Sequence, residues 1–228
     1  MRLPPLTPAR LLRRYKRYLA DVELPDGSVA VAHLPNPGRM TSCLREGWTP
    51  VLLSVGRARL AWTVELALPG EHWVLVNPGR ANAVVGEALA EGRIPELRDY
   101  AERRSEQRFG DRSRVDWLLV DGERRAWVEV KNATLVQDHT ARFPDAVTAR
   151  GVRHLEELVR VVAAGDRGVL LFHVGRGDAE AVEPADDVDP AYGAALRGAM
   201  ARGVEVYAWR ADVTSEGVTL ERALPVRV

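Results

Sequence analysis

Arg114–Lys131, RVDWLLVDGERRAWVEVK, constrains the fold of this chain more than any other stretch. Val115–Val120 and Ala126–Val130 are apolar runs of strand length, and Asp121–Gly122 between them is a turn signal. The segment therefore predicts a β-hairpin. Three charged residues, Asp116, Glu129 and Lys131, interrupt runs that otherwise read as buried. A charge withdrawn from water is costly unless it is paired or holds a metal. Glu129 and Lys131 are two apart and share a strand face. With Asp121–Arg124 as the loop, Val120 pairs with Arg125 and Asp116 falls opposite Glu129. A two-residue loop puts Asp116 opposite Trp127, one diagonal step from Glu129. Either count gathers two carboxylates and an amine. The expected occupant is Mg²⁺, which takes few carboxylates and keeps its waters. Asp116 and Glu129, with the carbonyl oxygen of Val130, are its expected ligands. Lys131 would hold the attacking water and stabilise charge on a phosphodiester. The same residues also read as an ordinary ion pair at a sheet edge, and spacing alone does not separate the two.

With 228 residues the chain is long enough for one large domain or two small ones, each with a core. Lys+Arg and Asp+Glu are 32 each. That balance argues against a protein held on nucleic acid by bulk charge and leaves room for a local basic patch. The single cysteine, Cys43, excludes an intramolecular disulfide framework and fits a reducing cytosol. No apolar stretch spans a bilayer, and no apolar signal core precedes the first charges, so the expected location is cytoplasmic with no membrane partner. His33, His72, His139 and His173 lack zinc-ligand spacing.

Such a patch opens the chain. Arg10, Arg13, Arg14, Lys16 and Arg17 are interleaved with Tyr15 and Tyr18. Guanidinium groups pair with phosphate and aromatic faces stack on bases, so this run is a candidate nucleic-acid grip. Short strands are expected at Leu19–Val22, Val29–Ala32, Val51–Val55, Leu60–Leu68 and Val74–Val76, separated by turn-rich segments. One of those, Pro35–Arg39, carries Asn36, Gly38 and Arg39 and either approaches a backbone closely or simply turns. The pattern predicts a small all-β barrel or sandwich ending near residue 80. Beyond it the expected order is a helix over Asn82–Gly92, a strand over Arg104–Gly110, the hairpin, and a polar connection over Asn132–Phe143. A helix then follows Asp145 to about Ala164, with strand Gly168–Val174, helix Pro190–Arg202 and strand Val204–Trp209 after it. The closing crossovers predict an α/β sheet covered by helices. Arg150 and His154 are four apart and share a helix face. They read as contacts to the phosphate backbone, or as an exposed basic face with a buried histidine. Arg112 and Arg114 read as phosphate contacts or as surface charges.

EQRFGDRSRVDWLLV, WVEVKNATL and ARFPDAVTARGVRHLEEL closely resemble the sugar fermentation stimulation protein family, SfsA. RRYKRYLADVEL, HLPNPGRM and GVEVYAW extend the resemblance across the chain in the family's order. One departure is Leu34, where the family has cysteine after the histidine; it bears on packing. The resemblance implies an OB-like β-barrel over residues 1–80 and a PD-(D/E)XK nuclease-like mixed α/β domain over residues 81–228. It also implies DNA as partner and a link to regulation of sugar (maltose) metabolism. Asp116, Glu129 and Lys131 match the nuclease core motif. Glu106 matches a preceding acidic position and is an expected further catalytic carboxylate, with Glu87 on the first helix as its rival. The expected function is a DNA-binding protein with a Mg²⁺-dependent phosphodiesterase site; the alternative is a DNA-binding regulator whose nuclease core is vestigial.

Overall fold

The computed structural model describes residues 1–56, 59–109 and 113–228; Gly110 and Arg112 lie outside the described residues. Arg10, Arg13 and Arg14 of the basic run lie in β1, Thr7–Tyr15, whose Leu11 points into a core while Arg10 and Arg13 face solvent; Lys16 and Arg17 form the turn after it. β1 pairs antiparallel with β2, Leu19–Glu23, on one side and with β4, Pro50–Val55, on the other. β3, Val29–His33, lies beside β2, and β5, Trp62–Ala67, beside β4. Parallel pairing of Ala32 with Trp62 and His33 with Thr63 closes the ring. The result is a closed five-stranded barrel of OB type, in which closure removes the edges. β6, Val74–Leu75, is a short extension on β5. Leu11, Leu34, Met40, Leu53 and Val64 fill the barrel, so Leu34 does serve packing.

The second domain is built on a six-stranded mixed sheet. In chain order its parts are α1, Ala81–Ala90; β7, Glu102–Phe109; β8, Ser113–Asp121; and β9, Arg124–Asn132. There follow β10, Leu135–Gln137; β11, Thr140–Phe143; α2, Ala149–Ala163; β12, Arg167–Val174; and β13, Ala181–Pro184. α3, Pro190–Ala201, β14, Glu205–Val213, and β15, Val218–Leu224, end it. The large sheet runs β15-β14-β12-β9-β8-β7. Residues alternate along β12: Val169 and Leu171 join the core under α1, whereas Leu170, Phe172 and Val174 join the core under α2 and α3.

Three expectations need correction. Residues 132–143 are not merely a polar connection, because β10 and β11 pair there and β11 adds β13 in parallel to form a separate three-stranded sheet. β15, an antiparallel edge on β14, also lies beyond the predicted elements. In addition, α2 begins later than Asp145 suggests. Its cap is Thr148, whose side chain accepts from the Gly151 N–H.

The barrel and the sheet domain are bolted together by Arg176, which is only 4% exposed. Its Nη1 donates to the carbonyl of Thr134 at 2.7 Å and to Ser42 Oγ at 3.1 Å, while Asp178 neutralises it through bonds of 2.6 and 2.7 Å. No helix among the described residues is long and apolar enough to cross a membrane.

Candidate metal centre and nucleic-acid surface

β8 and β9 pair in the register of the longer loop, with Val120 opposite Arg125 and Asp121 opposite Arg124. The ladder runs back to Trp117 opposite Val128, where the strands part. Asp116 then replaces a backbone partner with its side chain: Oδ2 accepts the Val130 N–H at 2.7 Å. Its other oxygen, Oδ1, accepts from Asn82 Nδ2 at 2.5 Å, so α1 reaches the hairpin at this carboxylate. Glu129, one residue before Val130, is 3% exposed and meets α2 instead. Its Oε1 accepts from Lys131 Nζ at 2.6 Å and contacts His154 Nδ1. Its Oε2 is buried with no hydrogen-bond partner among the described residues.

The two carboxylates have opposite electrostatics. Burial, and next the charge of Glu129 beside it, push Asp116 up to about 6, against the bonds from Val130 and Asn82. Burial also acts to raise Glu129, but His154 and Lys131 outweigh it and hold that carboxyl below its usual range. A divalent cation fits this arrangement. It would relieve the repulsion felt at Asp116 and satisfy the unpartnered oxygen of Glu129. Among the described residues no group of three or more His, Cys, Asp or Glu forms a metal cage. A two-carboxylate site suits an ion that completes its shell with water and phosphate oxygens.

The other expected site residues separate into distinct roles. Register places Glu106 across from Asp116, between the pairs Ser105–Trp117 and Gln107–Val115, but its φ is +51° and its side chain is exposed. Glu87 is engaged elsewhere, 2.7 Å from the amino group of Met1. The α1 residue at the site is Asn82, which sequence reasoning missed; an uncharged amide on a helix carries no signal of its own. His154 is 2% exposed, so it supports Glu129 and presents no surface to DNA. Arg150 is exposed and donates from Nε to His154 Nε2 at 3.2 Å.

In the barrel, Arg14 makes five bonds to main-chain carbonyls, of Arg17 (twice), Asn36, Gly38 and Arg39, at 2.8 to 3.1 Å. A guanidinium has five N–H donors, so it is saturated. Arg14 fastens the Pro35–Arg39 loop and has no donor left for phosphate. Arg13 is held by Asp21 at 2.6 Å and lies over the Tyr15 ring, whose hydroxyl donates to the same aspartate at 2.9 Å. Lys16, Arg17, Arg39 and Arg114 are exposed, and their side chains donate to no described residue. A cleft of about 550 Å³ runs between Tyr15, Arg17 and Arg39 on the barrel and Ala146–Val147, just ahead of α2.

The fold and the site define a class: an OB-type barrel joined to a mixed-sheet α/β domain that carries a carboxylate pair, Glu129 buried and Asp116 half-buried. The chain belongs to the sugar fermentation stimulation protein family, SfsA. The model of that family's N-terminal OB domain matches residues 12–76, and the model described as "Sugar fermentation stimulation protein RE domain" matches residues 79–217. A sugar fermentation stimulation protein homolog of Geobacter sulfurreducens is 51% identical over 225 residues, covering 97% of this chain and 96% of the relative. One from Acidithiobacillus ferrooxidans is 47% identical over 231 residues, with 99% of each chain covered. The structure of Pyrococcus furiosus SfsA in complex with Ca²⁺ superposes with a TM-score of 0.91 over 100% of this chain and 98% of that one. At 22% identity it shares the fold.

Proposed function

We propose that this chain is a DNA-binding phosphodiesterase that works with Mg²⁺ held by Asp116 and Glu129. The observation that carries the proposal is the buried, unpartnered Oε2 of Glu129 beside a second carboxylate whose proton affinity is raised by that same charge. The Ca²⁺ of the Pyrococcus furiosus protein supports a hard, oxygen-seeking cation in this fold. The carbonyl oxygen of Val130 is the third proposed ligand. Bound there, the metal would polarise a phosphodiester and acidify a water.

The chain's own residues do the rest. Asn82 and the Val130 N–H fix both oxygens of Asp116, and His154 fixes Glu129. Lys131 sits against Glu129, with its Nζ also 3.3 Å from His154 Nδ1, and would orient a water or a phosphate oxygen. Glu106, exposed at the same level of the sheet, faces the solvent from which a substrate would arrive. Arg17 and Arg39, which line the cleft ahead of α2, together with the exposed Arg114 and Arg150 supply the cations that hold the strand. Regulation of sugar metabolism, the sense of the family's name, is proposed only as a downstream consequence of DNA binding.

A second reading, a DNA-binding regulator with a silent core, draws on one observation: Lys131 and His154 both occupy Oε1 of Glu129. Cleavage of single- and double-stranded DNA by wild type, Asp116→Ala and Lys131→Ala separates the two. The nuclease reading expects Mg²⁺-dependent cutting by wild type, removed by EDTA and reduced roughly a hundredfold or more in each variant. Intact DNA binding with no cutting under any divalent metal would leave the regulator.

A further inference from the structure

A second site lies in the barrel, on the face where β3 and β5 close it. A cleft of about 700 Å³ opens there, large enough for a ligand of nucleotide size. Its lining is mostly apolar and includes Pro4, Pro5, Val55 and Leu60. Its floor is a built polar network around Glu65, which is 1% exposed. Ser54 Oγ donates to Oε1 at 2.8 Å, Asn77 Nδ2 to Oε2 at 2.8 Å, and Arg80 grips both oxygens through Nη2 at 2.6 Å and Nε at 3.0 Å.

That network settles the charge the cleft accepts. Four donors fill the carboxylate, so Glu65 offers nothing to a cationic or hydroxyl-rich ligand. Arg80 is locked in one orientation with its Nη1 hydrogens unused among the described residues. Arg59 and His33 also line the cleft with side chains that donate to no described residue. The unsatisfied charged groups are thus guanidinium donors, and among the described residues no free carboxylate lines the cleft. A bare inorganic anion would waste the proline, valine and leucine walls, and a sugar phosphate would find too few polar partners. A planar ring joined to a phosphate uses both halves.

We infer that this cleft binds one nucleotide unit, with the base on the apolar lining that Pro4, Pro5 and Leu60 supply and the phosphate on Arg59 and Arg80. The unit belongs either to a free mononucleotide or to a DNA strand. The site is separate from the Asp116–Glu129 pair and does not depend on its chemistry.

Calorimetric titration of the full chain in EDTA with AMP and with thymidine 5′-monophosphate tests this, alongside thymidine and deoxyribose 5-phosphate. The nucleotides are expected to bind at least tenfold more tightly than either half. Arg59→Ala and Leu60→Asp, both away from the Glu65 network, should weaken nucleotide binding about tenfold or more. Their melting temperatures should stay near that of wild type, and Asp116→Ala should bind as wild type does. Competition with a short single-stranded oligonucleotide identifies the source. An oligonucleotide that displaces the nucleotide more strongly per mole than free nucleotide does points to the strand, and weaker displacement points to the free mononucleotide. Absence of nucleotide binding at millimolar concentration, or binding unchanged in both cleft variants, would overturn the inference.

Discussion

His154 turns its Nδ1 onto Oε1 of Glu129 while its Nε2 accepts from Arg150 Nε at 3.2 Å. With Nε2 accepting, the imidazole proton sits on Nδ1 and points at the carboxylate. A helix residue that reads as a DNA contact is therefore an internal strut for a strand carboxylate. His154→Phe keeps most of the volume and deletes the donor, and should cost about 2–3 kcal/mol in urea unfolding. Arg150→Ala should stay within about 1 kcal/mol of wild type yet weaken DNA binding. The reverse pattern would place His154 on the surface.

Asp116 makes stability depend on pH in a defined direction. Its folded value of about 6 lies above its ordinary 3.8, so the folded state binds the proton more tightly. The stabilisation that follows is complete below about pH 4 and is lost as pH rises through 6. Above that, the ionised group costs on the order of 2–3 kcal/mol relative to its neutral form. In Asp116→Asn, Asn82 can rotate its amide to accept, so little else is lost. In EDTA the melting temperature of Asp116→Asn relative to wild type should therefore climb between pH 4 and pH 7. Adding Mg²⁺ should raise wild type and leave the variant behind. A flat difference across that range contradicts the burial and charge argument.

The saturated Arg14 and the free Arg17 and Arg39 should respond oppositely to substitution. Arg14→Lys leaves carbonyls of the Pro35–Arg39 loop without donors and should lower stability by about 2–3 kcal/mol. Arg17→Ala and Arg39→Ala should keep stability within about 0.5 kcal/mol, and each should reduce the slope of log affinity for DNA against log salt by about one. Urea unfolding and salt-dependent binding titrations give both readings.

Gly38 is required by a neighbour from the other domain. A Cβ there would lie 1.9 Å from Asp145 Oδ2. Gly38→Ala should therefore cost about 3 kcal/mol, and adding Asp145→Ala should restore most of it. A double-mutant cycle with coupling near zero would show that the loop moves freely past Asp145.

The hairpin was legible because its charges sit in apolar runs with an Asp-Gly turn between them, and a period of two then fixes the register. The barrel was legible through its turn residues. Three things were hidden for physical reasons. Asn82 meets Asp116 across 34 residues of sequence, through an uncharged amide. Arg14 looks like Arg17 in a basic run, since a guanidinium reads the same whether carbonyls or phosphates receive it. The small sheet depends on β11 finding β13 some forty residues later, with Thr140 opposite Ala181, and no local pattern announces such a pairing.

The paired bridges at the barrel's two ends, Arg2 to Gly217 and Val74 to Arg176, give the molecule an unusual mechanical character. The barrel leaves and rejoins the sheet domain like a handle fixed at both ends. Cutting the chain near residue 78 would break the covalent link between the domains and leave both bridges in place. A load placed on the barrel would thus reach the sheet domain through two separated points.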